Sequence, residues 1–352
     1  MRAFLFATLL SVPAGAETLR IATWNVGLDR KGPGLLVQDI VRGEDPQIAA
    51  VVQVLAALNA DVILLTSIDY DRGGVALNLL ADRLDAAGAP YPHRFALRPN
   101  TGMQTGFDVD GNGRPGDPRD AQGFGQFSGQ GGMAILSRLP VDAGNARDHS
   151  AFLWRDLPDA LLPDAADPDL LAVQRLATTG FWDVPVLTDM GPLHLLAFHA
   201  TPPAFDGPEG RNRRRNHDEA AFWRHYLTGG LPMAPPEAPF VLLGDANLDP
   251  ADGDGLHEGI QALLDHPAVQ DPQPRGNHGR IEPEHHGDPA LDTAIYASLG
   301  GLRLDYVLPS AGLAIAGSGV LWPADDEPVA HVLRAASHHY PVWVDIVVPV
   351  EP

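Results

Sequence analysis

The sequence predicts an α/β protein built as a four-layer α/β sandwich, two packed mixed sheets flanked by helices. Three observations point there. Apolar runs of strand length alternate with segments of helical periodicity, the late strands follow one another without helices, and no repeat or linker divides the 352 residues. Hydrophobic residues make up 45% of the chain, enough for such a core, and 37 glycines with 33 prolines predict long loops between the elements.

Taken in order, Thr18 to Val26 (TLRIATWNV) alternates apolar and polar residues and reads as the first strand. Pro46 to Asn59 carries Ile48, Val51, Val52, Val54, Leu55 and Leu58 at helical spacing and leads into a buried strand over Asp61 to Thr66. Val75 to Ala87 reads as a helix. Residues 100 to 131, rich in Gly, Asp and Gln, read as a long insertion before a strand over Met133 to Ser137. Residues 157 to 172 read as a surface segment. Leu193 to His199 and Phe240 to Gly244 have the composition of buried strands, with a helix over Asn216 to Thr228 between them. After a stretch of loop with one short helix near Gly259 to Leu264, Arg303 to Leu308 and Val342 to Val348 close the chain as strands.

At the N-terminus, Arg2, the apolar run Ala3 to Val12 and the small residues Ala14-Gly15-Ala16 have the layout of an export signal. The expected division is therefore a leader at 1–16 and one domain over 17–352, acting in a secreted or periplasmic location. The apolar run is about half the roughly 20 residues that a membrane span requires. The chain has no cysteine, which excludes disulfides, thiolate ligands and thiol nucleophiles, so a metal would need carboxylate, amide or imidazole donors. A formal charge of −21 opposes long-range attraction of a polyanion unless a basic patch or a bound cation reverses the local field.

Six short motifs fall at predicted strand ends, where a rigid scaffold can bring side chains together: Trp24-Asn25, Asp61 to Leu65, His199, Gly244-Asp245-Ala246-Asn247, Arg303 to Tyr306, and Ser337 to Val342. Hydrolysis of a phosphoester needs a hard cation on the phosphate oxygens, a positioned water and a proton donor for the leaving oxygen, and these residue types can supply all three. The ordered set resembles the endonuclease/exonuclease/phosphatase superfamily, which includes pancreatic deoxyribonuclease, apurinic endonucleases, inositol polyphosphate phosphatases and sphingomyelinases. The similarity runs over residues 18–349.

The resemblance implies the sandwich fold, a divalent cation (Mg²⁺ first, Mn²⁺ or Zn²⁺ as alternatives) and a phosphoester substrate, either nucleic acid or a smaller ester. It implies that Asp245 orients the attacking water and Asn247 contacts phosphate or water. It also implies that His339 donates to a phosphoryl oxygen and that His199 is a candidate acid for the leaving group. Asn25 and Asp305 would stand in the metal shell. A monomer is expected.

Two departures stand out. Ser67 occupies the position of the family's metal-binding Glu, and Asp69, on the same side of a continuing strand, is the candidate to replace it. His338 stands where the family has Asp; a neutral imidazole there would favour Zn²⁺ or Mn²⁺. These losses support a second reading, a catalytically degenerate module that binds a phosphate ligand or a protein.

Two further features carry expectations. Asp108, Asp110 and Asn112 alternate before Gly113 like the first half of a Ca²⁺ loop, which Asp117 or Asp120 could complete around a structural Ca²⁺. Arg211, Arg213 and Arg214 form a basic cluster suited to clamp a substrate phosphate, or else to answer the nearby acidic residues.

Overall fold

The computed structural model describes residues 16–164, 167–189, 191–207 and 209–349. The expected leader at 1–16 lies outside these except for Ala16. Of the described helices, none is long and apolar enough to cross a membrane.

The apolar runs become strands covered on both faces. One six-stranded sheet has the order β12-β13-β1-β2-β4-β3, built from β1 (Ala16–Leu28), β2 (Val62–Ile68), β3 (His93–Phe95), β4 (Gly132–Ser137), β12 (Ile315–Val320) and β13 (Val342–Pro349). A five-stranded sheet has the order β11-β8-β7-β6-β5, from β5 (Arg147–Asp148), β6 (Gly180–Thr188), β7 (Gly191–His199), β8 (Phe240–Asp245) and β11 (Asp305–Pro309). A small hairpin of β9 (Ala294–Tyr296) and β10 (Gly300–Leu302) stands apart. Both large sheets are mixed: β1 runs parallel to β2 and β7 parallel to β8, while the other pairs are antiparallel.

The period of two along β8 divides its side chains between two cores. Val241 and Leu243 face the sandwich interior with Trp182, Val184 and Leu195, whereas Phe240 and Leu242 join a separate outer cluster. That outer cluster is covered by α5 (Arg211–Leu227) and α6 (Glu258–Leu264), and Phe222 of α5 stacks on Phe181 with ring centroids 4.3 Å apart. On the other flank, α1 (Leu35–Arg42), α2 (Pro46–Leu58), α3 (Val75–Ala86) and α7 (Pro328–Ala336) cover the six-stranded sheet; the short α4 (Pro168–Leu171) lies in a loop. The predicted four-layer sandwich is the observed one.

Helix ends follow local chemistry. Asp45 accepts hydrogen bonds from the Gln47 and Ile48 amides, and Pro46 opens α2, while Asn59 closes it in the left-handed conformation. α5 begins five residues earlier than expected, so the basic cluster lies on its first turns.

Candidate active site

Strand register assembles the site. His199 at the end of β7 pairs with Asp245 at the end of β8, and Asp245 in turn pairs with Asp305 at the start of β11. Three polar residues distant in sequence therefore stand in one row at one edge of the sheet. Gly244 is required in front of Asp245: its φ is 147°, and a Cβ there would sit 1.9 Å from the Phe198 carbonyl oxygen.

Asp245 is fully buried and held from several sides. Its Oδ2 accepts from Asn25 Nδ2 at 2.8 Å and lies 3.5 Å from His199 Nε2, and its Oδ1 accepts from the Asn247 amide at 2.8 Å. Asp305 Oδ2 accepts from Thr293 Oγ1 at 2.8 Å and meets His339 Nδ1 at 2.7 Å. Asp305 Oδ1 is buried without a partner. One ligand atom each from Asp245, Asp305 and His339 lie within 4.8 Å of one another.

His339 is fixed on every side. Its carbonyl accepts from Trp24 Nε1 at 2.8 Å, its amide donates to Ser337 Oγ at 3.1 Å, and its Nε2 lies 2.9 Å from the Tyr296 hydroxyl. Burial opposes charge on His339, but Asp305 and Asp245 outweigh it and hold the imidazole up to about 9. Burial pushes Asp305 up to about 6, with His339 pulling against it. At neutral pH the pair is therefore an imidazolium–carboxylate ion pair that shares its neighbourhood with a second carboxylate. Two acidic groups, an orphaned carboxylate oxygen and no thiolate form a donor set that fits a hard divalent cation.

Each predicted site residue can be followed to its place. Asn25 lies beside the cluster: its Nδ2 supports Asp245, and its Oδ1 accepts from the Gly27 amide at 3.2 Å with one lone pair left over. Asp69 does not join the cluster. The β2 ladder is irregular between Thr66 and Ile68, and Ser67 has a φ of 55°, so the side chains no longer alternate as in a continuing strand. The Asp69 oxygens accept from the Arg30 and Gly131 amides at 2.9 and 3.0 Å instead. Asn247 does not continue an extended segment either. Its φ is 48°, its amide caps Asp245, and its Nδ2 donates to the Ala200 carbonyl at 2.9 Å. His338 is exposed and stacks on Tyr296 with ring centroids 6.4 Å apart, outside the acidic cluster.

A cavity of about 480 Å³ opens beside His199. Ser67 and Asp29 line it together with residues of the 100–131 insertion (Asp110, Arg119, Phe124) and of the segment after β7 (Phe205, Arg211). Arg211 thus faces the cavity, whereas Arg213 is exposed elsewhere and Arg214 turns to the Leu162 carbonyl and Asp164. Burial lowers the pKa of His199, against the pull of Asp245. In the insertion, Asp108 and Asp110 meet Asp120, while Asn112 turns its Nδ2 to Asp117 and its Oδ1 to the Arg114 amide. Asp120, one of the two residues expected to complete the loop, is the one that meets Asp108 and Asp110.

Thr293, Tyr296 and Asp29 have no motif that marks them in sequence. Thr293 sits just before a three-residue strand and Tyr296 at its end, and Asp29 follows β1 as an ordinary exposed aspartate.

A search of curated proteins finds no match. Among solved structures, an endonuclease/exonuclease/phosphatase from Beutenbergia cavernae DSM 12333 is similar with a TM-score of 0.56 at 18% identity, covering 94% of this chain and 71% of that one. A family protein from Bacteroides thetaiotaomicron is similar with a TM-score of 0.50 at 14% identity, covering 94% and 98%. So is a mutant beta toxin from Staphylococcus aureus, solved with bound magnesium ions, at a TM-score of 0.50, 14% identity and coverage of 93% and 99%. At these identities the likeness shows the fold. Residues 22–337 match the model of the Endonuclease/Exonuclease/phosphatase family, and the chain belongs to that family, whose members are metal-dependent phosphoester hydrolases.

Proposed function

We propose that this chain hydrolyses a phosphoester outside the cytoplasm, with a divalent cation, Mg²⁺ by first choice, held by Asp245 and Asp305. The observation that carries the reading is the row His199–Asp245–Asp305 with its orphaned Asp305 oxygen. When bound, such an ion draws charge from the phosphate oxygens. Asp245 orients a water through its carboxylate, in a position that Asn25 and the Asn247 amide fix. Neutral His199 donates a hydrogen bond to the bound phosphoryl group. The charge of His339 reaches the substrate through the Tyr296 hydroxyl, because the imidazole is buried and its Nε2 already meets that oxygen. Asp29, which lines the cavity beside Ser67 and whose charge acts on His199, contributes the carboxylate that Ser67 lacks. The leader composition at 1–16 supports export.

The substrate is read as a small phosphate ester. A cavity of about 480 Å³ lined by Arg119 and Arg211 can take one phosphate, while the net charge of −21 repels a long polyanion. Ser67 and the engaged Asp69 favour one rival, a module that binds a phosphate ligand without cleaving it. Plasmid DNA, bis-p-nitrophenyl phosphate and p-nitrophenyl phosphate, each with Mg²⁺, Mn²⁺, Ca²⁺, Zn²⁺ or EDTA, decide between them. The expected result is turnover of a small ester with Mg²⁺ or Mn²⁺ that EDTA abolishes, and slower cleavage of DNA. Absence of turnover with every ion would leave the binding module.

A further inference from the structure

A second group of metal-binding side chains lies between the 278–292 loop and the β9–β10 hairpin, and it shares no residue with the candidate active site. One ligand atom each from Glu282, His285 and Asp292 lie within 4.8 Å of one another. Asp252 adds a carboxylate oxygen 3.9 Å from His285 Nδ1.

The hydrogen bonds fix which atoms face inward. His285 Nε2 lies 3.0 Å from the Leu299 carbonyl, which only accepts, so Nε2 carries the proton. Nδ1 is the nitrogen turned toward Glu282 Oε2, 3.3 Å away, and in the neutral imidazole it carries the lone pair that a cation would take. A histidine that donates one nitrogen to a backbone carbonyl and turns the other to carboxylates is arranged as metal-binding histidines are. The Glu282 carboxylate spends Oε1 on Arg280 at 3.0 Å, and its Oε2 accepts from the Gly301 amide at 2.9 Å.

Asp292 supplies the independent observation. It is 5% exposed, and its Oδ2 is buried without a hydrogen-bond partner. That oxygen lies over the hairpin, since a Cβ on Gly301 would sit 2.1 Å from it, and a Cβ on Gly300 would sit 2.2 Å from Glu282 Oε2. Two successive glycines thus make the room these carboxylates occupy. Protonation of His285 does not answer the arrangement, because one Nδ1–H can satisfy Glu282 and still leave Asp292 Oδ2 alone. A buried carboxylate among other acids either takes up a proton or meets a cation, and Arg280, the nearby cation, is already engaged by Glu282.

We propose that Glu282, His285 and Asp292 hold a second divalent cation, bound through one imidazole nitrogen and carboxylate oxygens. A mixed nitrogen and oxygen set selects Zn²⁺ or Mn²⁺ over Mg²⁺ or Ca²⁺, whose preference is for oxygen alone. The ion closes the 278–292 loop on itself, and the hairpin that carries Tyr296 docks on that loop through the Gly301 amide and the Leu299 carbonyl, so the ion's work is to hold the surface on which the hairpin rests. It does not depend on the hydrolase reading.

The test uses the full chain, stripped of metal by a chelator and titrated with Zn²⁺ by calorimetry, with bound zinc counted after dialysis. The double variant Asp245→Asn with Asp305→Asn removes the candidate active-site ion and is expected to retain one zinc equivalent. Asp292→Asn and, separately, His285→Gln are expected to weaken this binding at least tenfold to a hundredfold. Both keep the size of the side chain, and an unchanged far-UV circular dichroism spectrum certifies folding. Failure of the Asp245/Asp305 double variant to retain zinc would overturn the proposal. So would wild-type zinc affinity in both Asp292→Asn and His285→Gln.

Discussion

Replacing Asp245 with Asn is expected to lower kcat on a small phosphate ester by about 10³-fold or more, because one carboxylate both positions the water and holds the cation. The change conserves shape, so the effect comes from charge. In the metal-free protein Asp245 and Asp305 are neighbouring buried carboxylates whose charges act on each other, partly answered by His339. Removing one of two like charges relieves that repulsion. Against that gain, Asn sets an amide group against Asn25 Nδ2 or the Asn247 amide, which costs about 1–3 kcal/mol, so urea unfolding in EDTA should show the Asp245→Asn variant folded and within about 3 kcal/mol of the wild type, while the stabilisation that Mg²⁺ gives the wild type disappears. A variant that was inactive because it no longer folded would show Asp245 to be structural, and one that kept activity would remove it from the mechanism.

Replacing His339 with Gln is expected to cost about 10²- to 10³-fold in kcat, the range for loss of one preorganised group that stabilises charge in the transition state. Its pH signature is specific. The imidazole is raised from an ordinary 6.5 to about 9, so its contribution to stability is fully present below pH 6.5 and is lost as pH rises through about 9. In EDTA, urea unfolding of the wild type between pH 6 and 10 should show that decline, and the His339→Gln variant should lack it. Tyr296→Phe should reproduce a tenfold to hundredfold share of the kinetic loss, the worth of a hydrogen bond to a charged group. Identical pH slopes in wild type and His339→Gln would mean that the Asp305 ion pair does not form. An unaffected Tyr296→Phe would mean that His339 reaches the substrate without the tyrosine.

Much of this was legible in the chain. The runs LHLLAFH and FVLLG become β7 and β8 because strands covered on both faces read as continuous apolar segments, and the polar residue that ends each run marks the sheet edge. His199, Asp245 and Asp305 were singled out as strand-end residues, and register brings them together. β6 was not legible, because Asp183 and Pro185 interrupt its pattern. The buried Asp183 carboxylate is answered by Arg147, His194 and Tyr226 from elsewhere in the chain, which no local reading reveals. The local conformation at Asp69 and Asn247 was not legible, because the left-handed residues Ser67 and Asn247 break the alternation that a continuing strand would have. Tyr296 belongs to a hairpin of three-residue strands and Asp292 to the turn before it, both too short for any periodicity to announce.

Crystals of the full chain soaked in Mn²⁺, with data collected at the manganese absorption edge, test the central claim most directly. The account predicts an anomalous peak bonded at about 2.0–2.2 Å to carboxylate oxygens of Asp245 and Asp305, including the Asp305 Oδ1 that otherwise has no partner. An absence of density between those two carboxylates at millimolar Mn²⁺, with both side chains in the positions described, would contradict it.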